Sequence, residues 1–309
     1  MRTTYIAVSS VMLAATALPL LARQDAGAPG APASVIVTLE PRRGKTIPPV
    51  DQSDLKVTEG GSVRPITGLQ PLANAPTQML IMIDDSARSS FDTLIPELKQ
   101  FVMALPPSTQ VAVGYMENGL TRLTSNFTAD HAAAAKSIRT VLGPGGADVS
   151  PYDSLSDAIK KWPKEQAARR EVVMISSGIE GLGGGYFEDN PYVQAGITAA
   201  QRAGLVVYAI YNPSVGHFGH SYWRNMWGQN FLAELSDQTG GEAYNLIMGS
   251  VVDLKPFLDQ ILEAQQNQYA LTFSVKPEEK SGLQRLRISV VSKDASIAYP
   301  SQIYVKASL

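Results

Sequence analysis

The sequence predicts an α/β fold: a doubly wound, mostly parallel sheet with helices on both faces, joined to a small β module. Three observations predict it. Met79 to Ile83 (MLIMI), Val172 to Ile175 (VVMI) and Leu205 to Ile210 (LVVYAI) are apolar runs without polar alternation, as expected of strands covered on both faces. Segments of helical period separate these runs, and strands alternating with helices call for a parallel sheet. The two flanks, in contrast, read as strands with no helix between them, and because a sheet needs at least three strands and a covered face, each flank is the other's natural partner.

The elements follow in order. Arg2 opens the chain with a positive charge, Tyr5 to Leu21 is apolar and almost uncharged, and small residues follow at Ala22 and Ala26. That order reads as a secretory signal peptide over 1–26; the alternative is a retained anchor, although the run falls short of the ~20 apolar residues a span needs. Residues 27–33 are Gly, Ala and Pro and read as a linker. The N-terminal β segment, 34–72, holds strands at Ser34 to Leu39, Asp54 to Glu59 and Val63 to Ile66, with a turn at Gly60-Gly61.

The central domain, 75–266, starts with the strand Met79 to Ile83 and a helix from Phe91 to Leu105. Val111 to Tyr115 and Leu123 to Phe127 are strands, and His131 to Leu142 and Tyr152 to Trp162 are helices. After Val172 to Ile175 come a helix from Val193 to Ala203, the strand Leu205 to Ile210, and a helix from Phe231 to Gln238 that ends at Thr239-Gly240-Gly241. Val252 to Gln266 is the last helix. The C-terminal segment, 268–309, holds strands at Tyr269 to Val275, Leu283 to Val291 and Ile303 to Lys306, and should pack with 34–72.

Composition narrows the function. The 309 residues contain no cysteine, which excludes disulfides, thiolate metal sites, cysteine catalysis and a lipid carried on cysteine. A formal net charge of -2 argues against nucleic acid and against an anionic membrane surface as partner. Once the signal is cleaved no membrane span is expected, so the chain reads as exported, to the periplasm or beyond the cell.

Right-handed crossovers gather the loops after the strands' carboxyl ends on one edge, where such sheets bind ligands. The first of these loops is Asp84-Asp85-Ser86-Ala87-Arg88-Ser89-Ser90. An aspartate with nearby hydroxyls offers hard oxygen ligands of the kind Mg²⁺ takes; the plainer reading is that Ser89 or Ser90 caps the next helix. The strand, Asp84-x-Ser86, Thr239-Gly240-Gly241 and the order of elements resemble a von Willebrand factor type A domain. The flanking DLKVTEGG (54–61) and QYAL (268–271) resemble the bacterial exported VWFA-related family.

That resemblance implies a Rossmann-like sheet, protein binding, and a metal-ion-dependent adhesion site. Such a site uses Asp-x-Ser-x-Ser, a threonine from a second loop and a late aspartate. Asp84 and Ser86 match its first positions, so Mg²⁺ is possible there. Arg88 takes the third place beside Ser89, Ser150 is the nearest hydroxyl of the second loop, and Ser176-Ser177 stand where the aspartate belongs. The site reads as degenerate, and no cofactor is expected. Arg88 either replaces the ion by pairing with Asp84, since a guanidinium can accept a partner's carboxylate, or is an ordinary surface arginine.

The loop from Asn212 to Gln229 carries His217, His220, Tyr222, Trp223 and Trp227. Its length and aromatic content mark it as functional, while His217 and His220 lack a third ligand for a transition metal. Gly181 to Asn190 is glycine-rich, but no Gly-Lys-Ser/Thr leads it into a helix, so it reads as a recognition loop rather than a phosphate cradle. No Gly-x-Ser-x-Gly elbow and no His-Glu-x-x-His helix occurs, and the chain is expected not to be an enzyme. The expected function is adhesion-type protein binding at the edge formed by Asp84, Ser86, Arg88, Ser89, Ser150, Ser177, His217, Tyr222, Trp223 and Trp227. The alternatives are a scaffold of a cell-envelope assembly with a vestigial edge, and a serine hydrolase pairing Ser177 with a loop histidine.

Overall fold

The computed structural model describes residues 31–42, 46–144, 150–164, 167–181, 190–213, 221–246, 251–276 and 280–307. The expected signal peptide, His217, His220 and most of the loops at 145–149 and 182–189 lie outside these residues.

The chain opens with β1 (Ala31–Pro41), β2 (Leu55–Glu59), β3 (Ser62–Arg64) and β4 (Ile66–Pro71). β1 begins inside the segment expected to be linker, because Ala31 already pairs with Val275. Pro65 interrupts the strand expected over 63–66; with no N–H to give to a ladder, it divides β3 from β4 instead.

The central segment runs β5 (Thr77–Asp84), α1 (Ile95–Ala104), β6 (Thr109–Glu117), β7 (Leu120–Thr128), α2 (His131–Ser137), α3 (Pro151–Lys160), β8 (Arg169–Ser176), α4 (Pro191–Ala203), β9 (Val206–Tyr211), α5 (Tyr222–Thr239), β10 (Ala243–Tyr244) and α6 (Lys255–Gln266). Its six strands lie in the order β10-β9-β8-β5-β6-β7. All neighbours are parallel except β6 and β7.

The apolar run of β5 explains the layering. All of its residues are buried. Met79, Ile81 and Ile83 face one way, onto Phe101 of α1 and Leu258 of α6, while Leu80 and Met82 face the other, onto Leu155 of α3, Ile197 of α4 and Phe231 of α5. A strand with an apolar layer on each side has no use for polar alternation. The doubly wound reading of the sequence therefore holds.

The chain closes with β11 (Gln268–Val275), β12 (Gly282–Val290), β13 (Ala295–Ala298) and β14 (Gln302–Val305). Both flanks contribute to two four-stranded sheets, β13-β1-β11-β4 and β14-β12-β2-β3. Between them Val35, Val37, Val57, Phe273, Ile288 and Val305 form one core, so the flanks do build a common β module.

Two helices depart from expectation. α2 stops at Ser137 rather than Leu142, because Ile138 turns extended and the following residues are taken up by tertiary bonds described below. α5 begins at Tyr222, well inside the segment read as a long loop; Ser221 caps it by accepting from the Arg224 N–H. It ends where expected, with Gly240 in the left-handed conformation at φ 80°.

Candidate functional site

The carboxyl edge is set by strand register. β5 and β8 run parallel with Ile83 opposite Ile175, so the next residues, Asp84 and Ser176, meet side by side. Asp84 is 3% exposed. Its carboxylate accepts from the Ser86 N–H at 3.1 Å, the Ser86 hydroxyl at 2.7 Å and the Ser176 hydroxyl at 3.1 Å. Burial pushes the Asp84 carboxyl up to about 6, although the bonds from Ser86 and Ser176 pull the other way. Burial wins because no cation stands against this carboxylate to offset its lost hydration.

The neighbouring Asp85 is also fully buried, and it does have a cation. Arg139 holds it in a bidentate pair, with Nη1 to Oδ1 at 2.8 Å and Nη2 to Oδ2 at 2.6 Å. The Leu142 N–H adds a third bond to Oδ1 at 2.9 Å. The Arg139 guanidinium lies over the Tyr115 ring, 3.8 Å from its centroid, and the Tyr115 hydroxyl bonds both the carbonyl and the N–H of Arg139. These bonds are what end α2 early. Among the described residues no ion pair joins Arg88 to Asp84, so of the two readings of Arg88 only the ordinary surface arginine has a counterpart here. Arg88 and Ser89 are exposed at the start of a short 3-10 turn, where neither serine supplies a cap.

Beyond β8 the chain passes beneath α5. Gly178 takes φ 67°, and a Cβ on it would lie 2.2 Å from the Gly228 carbonyl; a Cβ on Gly228 would lie 2.1 Å from the Ser177 carbonyl. Only paired glycines allow helix and strand end to come this close. Ser177 is in consequence 0% exposed, and its hydroxyl accepts from the Ile179 N–H. A nucleophile needs a free hydroxyl facing a substrate and a base, so the arrangement of Ser177 runs against the hydrolase reading. Ser150 is buried too and donates to Glu180 at 2.8 Å. The Tyr152 hydroxyl donates to the Gly178 carbonyl at 3.0 Å, which ties the start of α3 to the same corner.

Besides Arg88 and Ser89, the described residues exposed on this edge include an aromatic pair. On the first turn of α5, Tyr222 is 59% and Trp223 65% exposed, and their rings meet edge to face at 5.6 Å. Trp223 lies five residues before Gly228, about 8 Å along the helix at ~1.5 Å per residue. Trp227 does not share this surface: it stacks on Phe231 at 5.7 Å and packs against the core.

Among the described residues the donor set around Asp84 is its own carboxylate with the hydroxyls of Ser86 and Ser176. A hydrated ion would have to displace three hydrogen bonds to reach that carboxylate. Among the described residues no group of three or more His, Asp or Glu is placed to hold a metal. Asp85, Arg139, Ser176 and Glu180 form the polar floor of the edge. Sequence reasoning marked Ser176 only as standing in the place of an aspartate and gave Arg139 and Glu180 no role, because Arg139 sits within an apparently helical stretch and Glu180 beside a glycine-rich one.

Among solved structures the chain is similar to the conserved hypothetical protein BatB from Bacteroides thetaiotaomicron, at 13% identity over 61% of this chain and 96% of that one, with a TM-score of 0.45. It is similar to the vWF domain of the type V pili tip protein Mfa5 from Porphyromonas gingivalis, at 12% identity over 62% and 95%, TM-score 0.44. It is also similar to the ArnB paralog VWA2 from Sulfolobus acidocaldarius, at 10% identity over 89% and 76%, TM-score 0.41. No family model and no curated protein matches the chain.

Proposed function

We propose that this chain is an exported, non-enzymatic module that recognises a protein through the carboxyl edge of its central sheet, without a metal ion. The observation that carries the reading is the Tyr222–Trp223 pair, exposed at 59% and 65% on the end of a helix whose next turns are locked to the strand ends. Tryptophan and tyrosine are the side chains on which interface energy concentrates, and a rigid platform spares the entropy of ordering them on binding. Arg88, exposed on the same edge, supplies a cation at the rim.

The polar floor supports recognition by holding this surface still rather than by binding. Asp85 is neutralised by Arg139, and Asp84 is enclosed by hydroxyls. In this reading the acidic group that a metal site would capture has no ion to meet.

The test places a photoreactive phenylalanine analogue at Trp223, and separately at the distant exposed Lys136, in the organism's own exported protein. A discrete cross-linked product at 223 that is absent at 136 and lost on Tyr222→Ala supports the proposal. Equal products at both positions, or none at 223, refute it. The scaffold reading, with a vestigial edge, expects no product at 223 and unchanged assembly of the envelope when Trp223 is replaced.

A further inference from the structure

The opposite end of the molecule carries a second feature. A groove of about 590 Å³ lies between the β module and the central domain, bounded by β1 on one side and by the end of α4 and strand β14 on the other. Its size falls within the usual range of ligand sites, and two things about its lining point to an occupant.

The first is an open strand edge. β1 pairs with β11 from Ala31 to Thr38, but with β13 only from Thr38 to Pro41. The Leu39 N–H donates to the Asn267 carbonyl on the β11 side. Alternation along the strand then turns the backbone groups of Ser34 and Ile36 away from β11, toward the groove. Among the described residues nothing pairs with them. An open edge of this kind is a template for another strand.

The second is charge. Arg170, Arg202 and Lys306 line the groove, and no Asp or Glu does so among the described residues. Among the described residues none of the three is in an ion pair. Arg202 faces the Tyr304 ring at 5.9 Å, and Arg170 donates to the Ala203 carbonyl. Partial burial holds the Arg170 guanidinium below its ordinary value, which is the effect of desolvation without a compensating carboxylate.

We infer that this groove takes an extended acidic peptide as an added strand on β1, its backbone pairing with Ser34 and Ile36 and its carboxylates meeting Arg170, Arg202 and Lys306. Strand addition of this sort draws affinity from main-chain bonds and specificity from alternate side chains. A second copy of the chain does not suit the site, because pairing two such edges would bring two sets of uncompensated cations together. The inference is independent of the aromatic edge at the other end of the sheet.

The probe is a fluorescein-labelled octapeptide of alternating Glu and Val, compared with its Lys-Val counterpart and with an N-methylated Glu-Val form that keeps the charges but cannot pair. Anisotropy with the full chain should show saturable binding of the first peptide and binding weaker by about ten-fold or more for the other two. Arg202→Glu with Lys306→Glu should cost a similar factor, whereas Lys136→Glu should cost nothing. Hydrogen exchange at Ser34 and Ile36 should slow when the Glu-Val peptide binds. Equal binding of the N-methylated form, unchanged exchange at these two amides, or no binding at millimolar peptide would overturn the proposal. So would amides already slow in the free chain, since another segment of the chain would then hold the edge.

Discussion

Replacing Arg139 by leucine should destabilise the fold measurably, although the side chain is 37% exposed. The reason lies in what the change leaves behind. Asp85 is fully buried, and its two oxygens receive both guanidinium bonds. Removing one partner of a buried pair costs about 3–5 kcal/mol, because the remaining charge is left uncompensated in a poor solvent. The exposed side of Arg139 argues for the lower end, since surface pairs contribute only about 0–1 kcal/mol. The Leu142 N–H still reaches Asp85, while the cation over the Tyr115 ring is lost with about 0.5–1 kcal/mol of its own. A net loss of about 2–3 kcal/mol is expected from urea unfolding near neutral pH. Asp85→Asn in the Arg139→Leu background should recover part of it, since the amide carries no charge to strand. The coupling between the two sites should then exceed about 1 kcal/mol. A loss under 0.5 kcal/mol, or strict additivity of the two changes, would refute the claim that this pair holds the edge.

Four further outcomes follow from the same geometry. The raised Asp84 carboxyl means that the folded state binds this proton more tightly than the unfolded state does. Its contribution is fully present below the ordinary carboxylate value and is lost as pH rises through about 6; the full difference is on the order of 3 kcal/mol. Asp84→Asn should flatten that decline between pH 4 and 6 in parallel urea titrations; a variant with the same slope as the parent contradicts the assignment. Calorimetry with Mg²⁺ should show no binding, and micromolar affinity abolished by the same substitution would restore a metal to the site. Gly228→Ala should lower the melting temperature sharply, because its Cβ meets the Ser177 carbonyl at 2.1 Å and neither backbone can yield; Trp223→Ala should leave the melting temperature within about a degree or two while abolishing capture of the partner.

The sheet was legible in the sequence because burial on both faces leaves a compositional trace. MLIMI, VVMI and LVVYAI are central strands, and no local preference competes with that signal. The flanks were legible as strands, yet β13 was not, since ASIA is short and small-residued and owes its conformation to pairing with β1. The edge was half legible. Asp84 and Ser86 stand together as their spacing predicts. Arg139 was hidden because Ile138 and Leu142 keep a helical period, and period alone cannot reveal that Asp85 will draw this stretch out of a helix. α5 was truncated in the reading for a related reason: the aromatic residues of its first turns look like a binding loop, whereas Ser221 caps them as helix.

Two neighbouring carboxylates at the end of one strand have been handled in opposite ways, and the difference bears on what the edge can recognise. Asp85 is given a guanidinium, with an aromatic ring beneath that cation. Asp84 is given only hydroxyls and a backbone N–H, so its ionisation is weakened instead. Both solutions remove negative charge from the surface. Among the described residues the two acids that end β5 are spent internally, and long-range steering raises association rates only where net field survives. Affinity at Tyr222 and Trp223 must then come from buried apolar area, which acts at contact and resists salt. If this is the working surface, partner capture should survive half-molar salt with little loss. Capture that disappears between 0.1 and 0.5 M salt would instead place recognition on charged groups such as Arg88, and the aromatic pair would lose its claim.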